Sequence, residues 1–331
     1  MASTELSYHA RSWRVVTAAS IGNAFEWFDF IIYGFFAVTI AKLFFPTGNE
    51  TASILLTLAS FAVPFVMRPI GAVVLGSIAD RHGRKTVLTL TMAMMMAGTA
   101  TTAFAPTYAS IGIFAPMIIT GARLVQGFSA GGEFGSATVF LAEQNPSRRG
   151  FYASWQFAGQ GLSAVLATGF GAALNSVLTS EQMEMWGWRI PFLFGLLIGP
   201  VGYYIRRHLD ETLEFRSLQT DATPLRERLA DATKRLLVAL GTIVLVTVAA
   251  YTAVFMPTYA IRELGLPPAA AFLAGLLTGA IHLAIIPVAG TLSDKLGRLP
   301  ISLVNDCLLG FGLNRTHLLI TTSPISFQPT P

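Results

Sequence analysis

The segment Arg68-Pro69-Ile70-Gly71-Ala72-Val73-Val74-Leu75-Gly76-Ser77-Ile78-Ala79-Asp80-Arg81-His82-Gly83-Arg84-Lys85 is an apolar run that ends in a tight, basic turn. Further along, Gly290-Thr291-Leu292-Ser293-Asp294-Lys295-Leu296-Gly297-Arg298 repeats the frame Gly-x-x-x-Asp-[Arg/Lys]-x-Gly-Arg, again behind an apolar span of membrane length. A frame that recurs in the same context signals an internal repeat. Each letter has a physical use: the first glycine admits close approach of two helices, the aspartate can cap a helix or pair with arginine, and the second glycine permits a sharp turn. Gly76, Asp80, Arg81, Gly83 and Arg84, with Asp294, Gly297 and Arg298 in the second copy, are therefore the expected latch between helix ends.

Composition sets the solvent. Of 331 residues 53% are hydrophobic and only 12% charged, against a charged share of about a quarter in soluble domains. A soluble fold is excluded, and the expectation is an all-α, polytopic membrane bundle. The single cysteine, Cys307, forms no intramolecular disulfide and offers no metal cluster. A net charge of +4 would ordinarily suggest nucleic acid, but here the charges follow membrane topology, so no nucleic-acid partner is expected.

Segments long enough to cross a ~30 Å hydrocarbon core run from about Val15 to Ile40, Ile54 to Ala79, Thr86 to Ala105, Ile111 to Leu141, Tyr152 to Leu178, Ile190 to Ile205, Leu236 to Tyr259 and Ala269 to Ala289. The first follows a polar lead and contains Glu26 and Asp29, which argues against a cleaved signal peptide. Sixteen basic residues fall at the N-terminus and in the even-numbered loops, whereas the opposite loops hold only Lys42, Arg189 and Arg262. By the positive-inside rule the N-terminus is cytoplasmic. The charged stretch 206–235 reads as a cytoplasmic linker, and the residues after about 304 as an atypical tail, polar and proline-bearing, with a frameshift near 304–312 as its expected origin.

The doubled loop frame resembles that of the major facilitator superfamily, which carries it between helices 2 and 3 and again between helices 8 and 9. Asn23-Ala24-Phe25-Glu26-Trp27-Phe28-Asp29-Phe30, Arg68-Pro69-Ile70-Gly71, Trp186-Gly187-Trp188-Arg189-Ile190-Pro191-Phe192 and Arg206-Arg207-His208-Leu209-Asp210-Glu211-Thr212 narrow the likeness to the metabolite:proton symporter family. Within it, residues 10–303 are most similar to bacterial citrate-proton symporters; other members carry 2-oxoglutarate, shikimate, and proline or betaine. The resemblance implies twelve helices in two six-helix halves. The expected division is a complete N-terminal bundle (1–205), the linker (206–235), a partial C-terminal bundle (236–303) and the tail (304–331). It also implies a monomeric inner-membrane importer of citrate and protons, working by alternating access without a cofactor.

Helix 1 carries the sharpest chemistry. Gly22, Glu26, Asp29 and Tyr33 are spaced four, three and four apart and share one helical face, with Asn23 alongside. Carboxylates at this depth are costly unless paired or protonated and mark an ion or proton path. Glu26 or Asp29 is thus the expected carrier of the coupled proton. The alternative is a static ion pair with an arginine of a neighbouring helix. Arg68 and Arg123 are the cations in apolar spans and the natural anion ligands. Arg123, with Gln126 nearby, is the expected substrate ligand. Arg68 divides between substrate contact and a gating role beside Asp80. Gln156 and Gln160, four apart on helix 5, together with Asn23 and Tyr33, complete the expected substrate lining. Gly127, Gly131 and Gly135 read as a small-residue seam for helix contact. No His-Glu-x-x-His or paired-cysteine motif occurs, and the one Gly-x-Ser-x-Gly frame, Gly127 to Gly131, falls inside an apolar span on the small-residue seam, so no catalytic role is assigned. A truncated, non-transporting relic is the rival reading.

Overall fold

The computed structural model describes residues 2–82, 84–143, 145–197, 199–200, 267–298 and 300–301. The expected span Leu236 to Tyr259, the linker, Cys307 and the tail lie outside the described residues. The described elements are α1 (Ala2–Phe35), α2 (Ala37–Phe44), α3 (Glu50–His82), α4 (Arg84–Phe104), α5 (Tyr108–Ile111), α6 (Phe114–Glu143), a 3-10 turn (Pro146–Arg148), α7 (Arg149–Val177), α8 (Ser180–Gln182), a π turn (Met183–Gly187), α9 (Arg189–Gly195) and α10 (Pro268–Leu296). No strand occurs among the described residues.

Hydrophobic runs become long helices because a bilayer core offers backbone groups no water, and a helix satisfies them internally. The segments Glu50–Ala79, Arg149–Val177 and Phe272–Leu296 are each long and apolar enough to cross a membrane. Two expected boundaries change. The span from Val15 to Ile40 is not continuous: the helix breaks at Phe36, two residues beyond Gly34, and turns by 69° into α2. The span expected from Ile111 begins at Phe114, because Gly112 ends the short α5 with φ at +57°. That conformation is one glycine adopts without steric penalty.

The bundle is inside-out relative to a soluble protein. Leu55, Val66, Val73, Phe114, Ile281 and Val288 are exposed, while Asn23, Glu26, Asp29, Arg123, Gln126 and Gln156 are buried. An apolar exterior and polar interior suit a hydrocarbon surround.

Small residues set the helix spacing. α3 lies against α6, where a methyl group at Gly127 or Gly131 would overlap the backbone of Pro64 or the Arg68 carbonyl. α7 packs against α1 on one side and α10 on the other. The α7–α10 seam pairs Gly161 with Gly279 and Gly150 with Gly290; a Cβ at any of the four would stand 2.6–2.8 Å from the opposing carbonyl oxygen. Such contact is how helices associate where water supplies no hydrophobic drive. Gly76 differs from its repeat counterpart Gly290: among the described residues a Cβ there meets nothing within 4 Å.

The loops sort to two ends. Lys42 pairs with Glu184 at 2.8 Å and Arg189 donates to the Ala105 carbonyl at 3.0 Å, gathering the odd-numbered loops. Asp294 meets Gly150 and Phe151 at the opposite end.

Candidate functional site

The stripe on α1 meets α3 and α6 at two buried ion pairs. Arg123 Nη1 donates to Asp29 Oδ2 at 2.9 Å, with the side chains 0% and 2% exposed. Gln126 Nε2 donates to the same oxygen at 2.7 Å and to Thr99 Oγ1 at 3.1 Å. One turn further along α1, the Tyr33 ring lies 3.8 Å from the Arg123 guanidinium carbon, and its hydroxyl meets Ser60 Oγ at 2.5 Å. Two charges withdrawn from water need such support, because desolvation can exceed their mutual attraction. Among the described residues, Arg123 Nε and Nη2 and Asp29 Oδ1 have no hydrogen-bond partner. The pair is held yet not saturated.

The second pair is looser. Arg68 Nη2 stands 3.7 Å from Glu26 Oε1, and its side chain is 22% exposed. The guanidinium carbon lies 5.0, 5.0 and 4.8 Å from the rings of Trp27, Phe30 and Phe65, an aromatic cage of the kind that attracts cations. Towards the other end of the stripe, buried Glu133 accepts a hydrogen bond from Thr91 at 3.2 Å. A Cβ at Gly22 would lie 4.0 Å from the Glu133 carboxylate.

Neutral amides flank these charges where α1 runs beside α7. Ser163 Oγ donates to the Ala24 carbonyl at 2.6 Å, and a Cβ at Gly159 would lie 3.1 Å from Asn23 Oδ1. Asn23 and Gln156 are buried, and neither amide has a hydrogen-bond partner among the described residues. Leaving such groups unmade costs about 1–3 kcal/mol each, so their capacity is available to a polar solute entering here. Gln160 is half-buried and takes no part in these contacts.

The second copy of the loop frame forms a defined contact. Asp294 accepts from the backbone N–H of Gly150 (2.7 Å) and of Phe151 (2.9 Å), at the N-terminus of α7. A carboxylate is favoured there by the helix dipole and the unsatisfied N–H groups. Gly297 turns the chain with φ at +92°, as the frame's second glycine was expected to allow. Of the first copy, Arg81 is exposed, while Gly83 and the side chains of Asp80 and Arg84 lie outside the described residues. Sequence reasoning missed the supporting hydroxyls of Ser60, Thr91 and Thr99. Serine and threonine inside apolar helices were the available signal, diluted by the many that only bond to their own helix, such as Thr57 and Thr102. Among the described residues no group of three or more His, Cys, Asp or Glu could hold a metal ion.

The Major Facilitator Superfamily model matches residues 19–319. The chain belongs to this superfamily. Curated relatives of this superfamily protein include the citrate-proton symporter of Klebsiella pneumoniae, 42% identical over 84% of this chain and 63% of the relative. The citrate-proton symporter of Salmonella typhi is 39% identical over 97% and 73%. The alpha-ketoglutarate permease of Escherichia coli (strain K12) is 37% identical over 87% and 67%. The chain thus spans about two thirds of the length of these relatives. Among solved structures, the proton:xylose symporter XylE bound to 6-bromo-6-deoxy-D-glucose superposes with a TM-score of 0.71, at 16% identity, over 88% of this chain and 71% of that one. At that identity the likeness concerns the fold alone.

Proposed function

We propose that this superfamily protein is a proton-coupled symporter that imports citrate or a related tricarboxylate across the bacterial inner membrane, as a monomer with its N-terminus in the cytoplasm. The observation that carries the reading is the sealed Asp29–Arg123 pair with Gln126 on the same carboxylate oxygen. A proton on Asp29 removes the charge that holds Arg123, and the released guanidinium can take a substrate carboxylate in its place. Proton and anion then bind together, each favouring the other. Physics favours that pairing, since each negative charge entering against an inside-negative potential costs about 2.3 kcal/mol per 100 mV. Asn23 and Gln156 supply neutral hydrogen bonds to the same solute, with Tyr33 and Gln126 positioning Arg123. Gln160 and Glu26 stay candidates on the same faces.

Alternating access requires a contact that opens and closes between the halves. Asp294 at the N-terminus of α7 joins an element of the second half to one of the first, and on this reading it is the cytoplasmic latch. Arg298 and the first-copy residues Gly76, Asp80, Arg81, Gly83 and Arg84 belong to the same proposal.

Purified full-length chain in liposomes should accumulate labelled citrate under an inward proton gradient and lose accumulation when a protonophore is added. Citrate left outside under that gradient would refute the reading. A second reading is supported by the relatives: the 2-oxoglutarate-type permease and the proline/betaine transporter of Escherichia coli (strain K12), the latter 35% identical. Accumulation of 2-oxoglutarate or proline in preference to citrate would select it.

A further inference from the structure

The two guanidiniums of the site share one ring. Arg68 lies 5.0 Å and Arg123 6.0 Å from the Phe30 centroid, so their carbons are at most about 11 Å apart. Their surroundings differ. Arg123 is fully enclosed and bound to Asp29 and Tyr33, whereas Arg68 is partly open and 3.7 Å from its carboxylate, beyond hydrogen-bond length. The buried Nε and Nη2 of Arg68 have no hydrogen-bond partner among the described residues, and its charge is met chiefly by the faces of Trp27, Phe30 and Phe65. Aromatic faces attract a guanidinium without using its N–H groups. The cage therefore orients the fork and leaves donors to spare, the condition in which an arginine receives a planar carboxylate.

We infer that Arg68 is a substrate ligand, the first anchor for a carboxylate, and that with Arg123 it makes the site select small acids bearing two or more carboxylates over monocarboxylates. This rests on the proposed function and assigns Arg68 to the binding site rather than to the gate. The order follows from accessibility. One carboxylate docks on Arg68 while Arg123 is still held by Asp29. A second reaches Arg123 only after Asp29 is neutralised. A monocarboxylate can satisfy one guanidinium but not both, so it gains the first contact alone.

The test is direct binding to purified full-length chain in detergent, by calorimetry at pH 5.5. The acids are citrate, tricarballylate, succinate and acetate, with wild type, Arg68→Gln, Arg68→Lys and the double variant Glu26→Gln/Arg68→Gln. Wild type should prefer citrate and tricarballylate to acetate. Arg68→Gln should weaken the polycarboxylates at least tenfold, the size of a lost charge-assisted contact, and collapse the preference for them over acetate. Arg68→Lys keeps the charge but not the fork and should fall between. The double variant carries no stranded carboxylate, so it controls for folding, and it should lose the preference as well. A merely structural arginine would change affinity for all four acids alike, and that result overturns the inference. So does citrate affinity within threefold of wild type in a monodisperse Arg68→Gln or double variant, and in that case the proposed function stands. Failure of wild type to bind any polycarboxylate overturns both.

Discussion

Replacing Arg123 by glutamine should destabilise the fold, and the size follows from the burial of its partner. Asp29 is 2% exposed and Arg123 0%. Removing one member of such a buried pair leaves an uncompensated charge and costs about 3–5 kcal/mol. Arg123→Gln should therefore lose about 3–5 kcal/mol, and Asp29→Asn, which strands the guanidinium instead, should lose an amount in the same range. The double variant Asp29→Asn/Arg123→Gln strands neither charge, so its loss should be smaller than the sum of the two single losses. Unfolding of the purified chain by SDS in mixed micelles, followed by helical circular dichroism, reads all three. A loss below about 1 kcal/mol in the single variants, or a double variant that loses their full sum, would show that the pair is not the buried charge centre described above.

Asp294→Ala should weaken the closed latch by about 1–2 kcal/mol, the range for losing a helix cap at an exposed site, which shifts populations about 5- to 30-fold. Ser154→Cys, buried beside Gly290 in the α7–α10 seam, should then react correspondingly faster with an impermeant maleimide from the cytoplasmic side; unchanged labelling refutes the latch. Tyr33→Phe removes the 2.5 Å contact with Ser60 but leaves Ser60 bonded to the Thr57 carbonyl, so the loss should be about 1 kcal/mol by SDS unfolding; a loss above 3 kcal/mol would mean the hydroxyl has a further role. Gly131→Val forces a side chain onto the Arg68 carbonyl and should cost more than 3 kcal/mol or abolish folded yield, whereas Gly76→Val, where a Cβ meets none of the described residues within 4 Å, should be tolerated in size-exclusion profiles; equal behaviour of the two would refute the α3–α6 contact.

Most of the bundle was legible because membrane helices advertise themselves by length and apolarity, and α3, α7 and α10 lie where those runs predicted. The break at Phe36 was not legible. Gly34 weakens the helix there, yet glycine is common in membrane helices, and the 69° turn depends on how α2 packs. The stripe on α1 could be read because a period of 3.6 places Glu26, Asp29 and Tyr33 on one face. Which arginine meets which carboxylate could not. That choice depends on the axial offset of α3 and α6, set by backbone contacts at Gly127 and Gly131 that no pattern within one helix encodes. The same offset decides that Asp29 and Tyr33 enclose Arg123 while Arg68 is the more accessible of the two, a difference no pattern in the sequence distinguishes.

The two pairs together explain why a proton should be required at all. Arg123 is already held by Asp29 at 2.9 Å, whereas Glu26 stands 3.7 Å from Arg68, so in the order proposed above only Arg68 receives a carboxylate in the resting site. A carboxylate that arrived at Arg123 with Asp29 still ionised would leave two negative groups competing for one guanidinium in a place from which water is excluded, and like charges at that depth repel strongly. If Asp29 first takes a proton, the incoming carboxylate replaces its charge one for one and the local balance is restored. On this reading the coupling needs no signal relayed across the bundle. It follows from an Arg123 subsite built neutral, in which a second carboxylate is admitted only when the charge already there is cancelled.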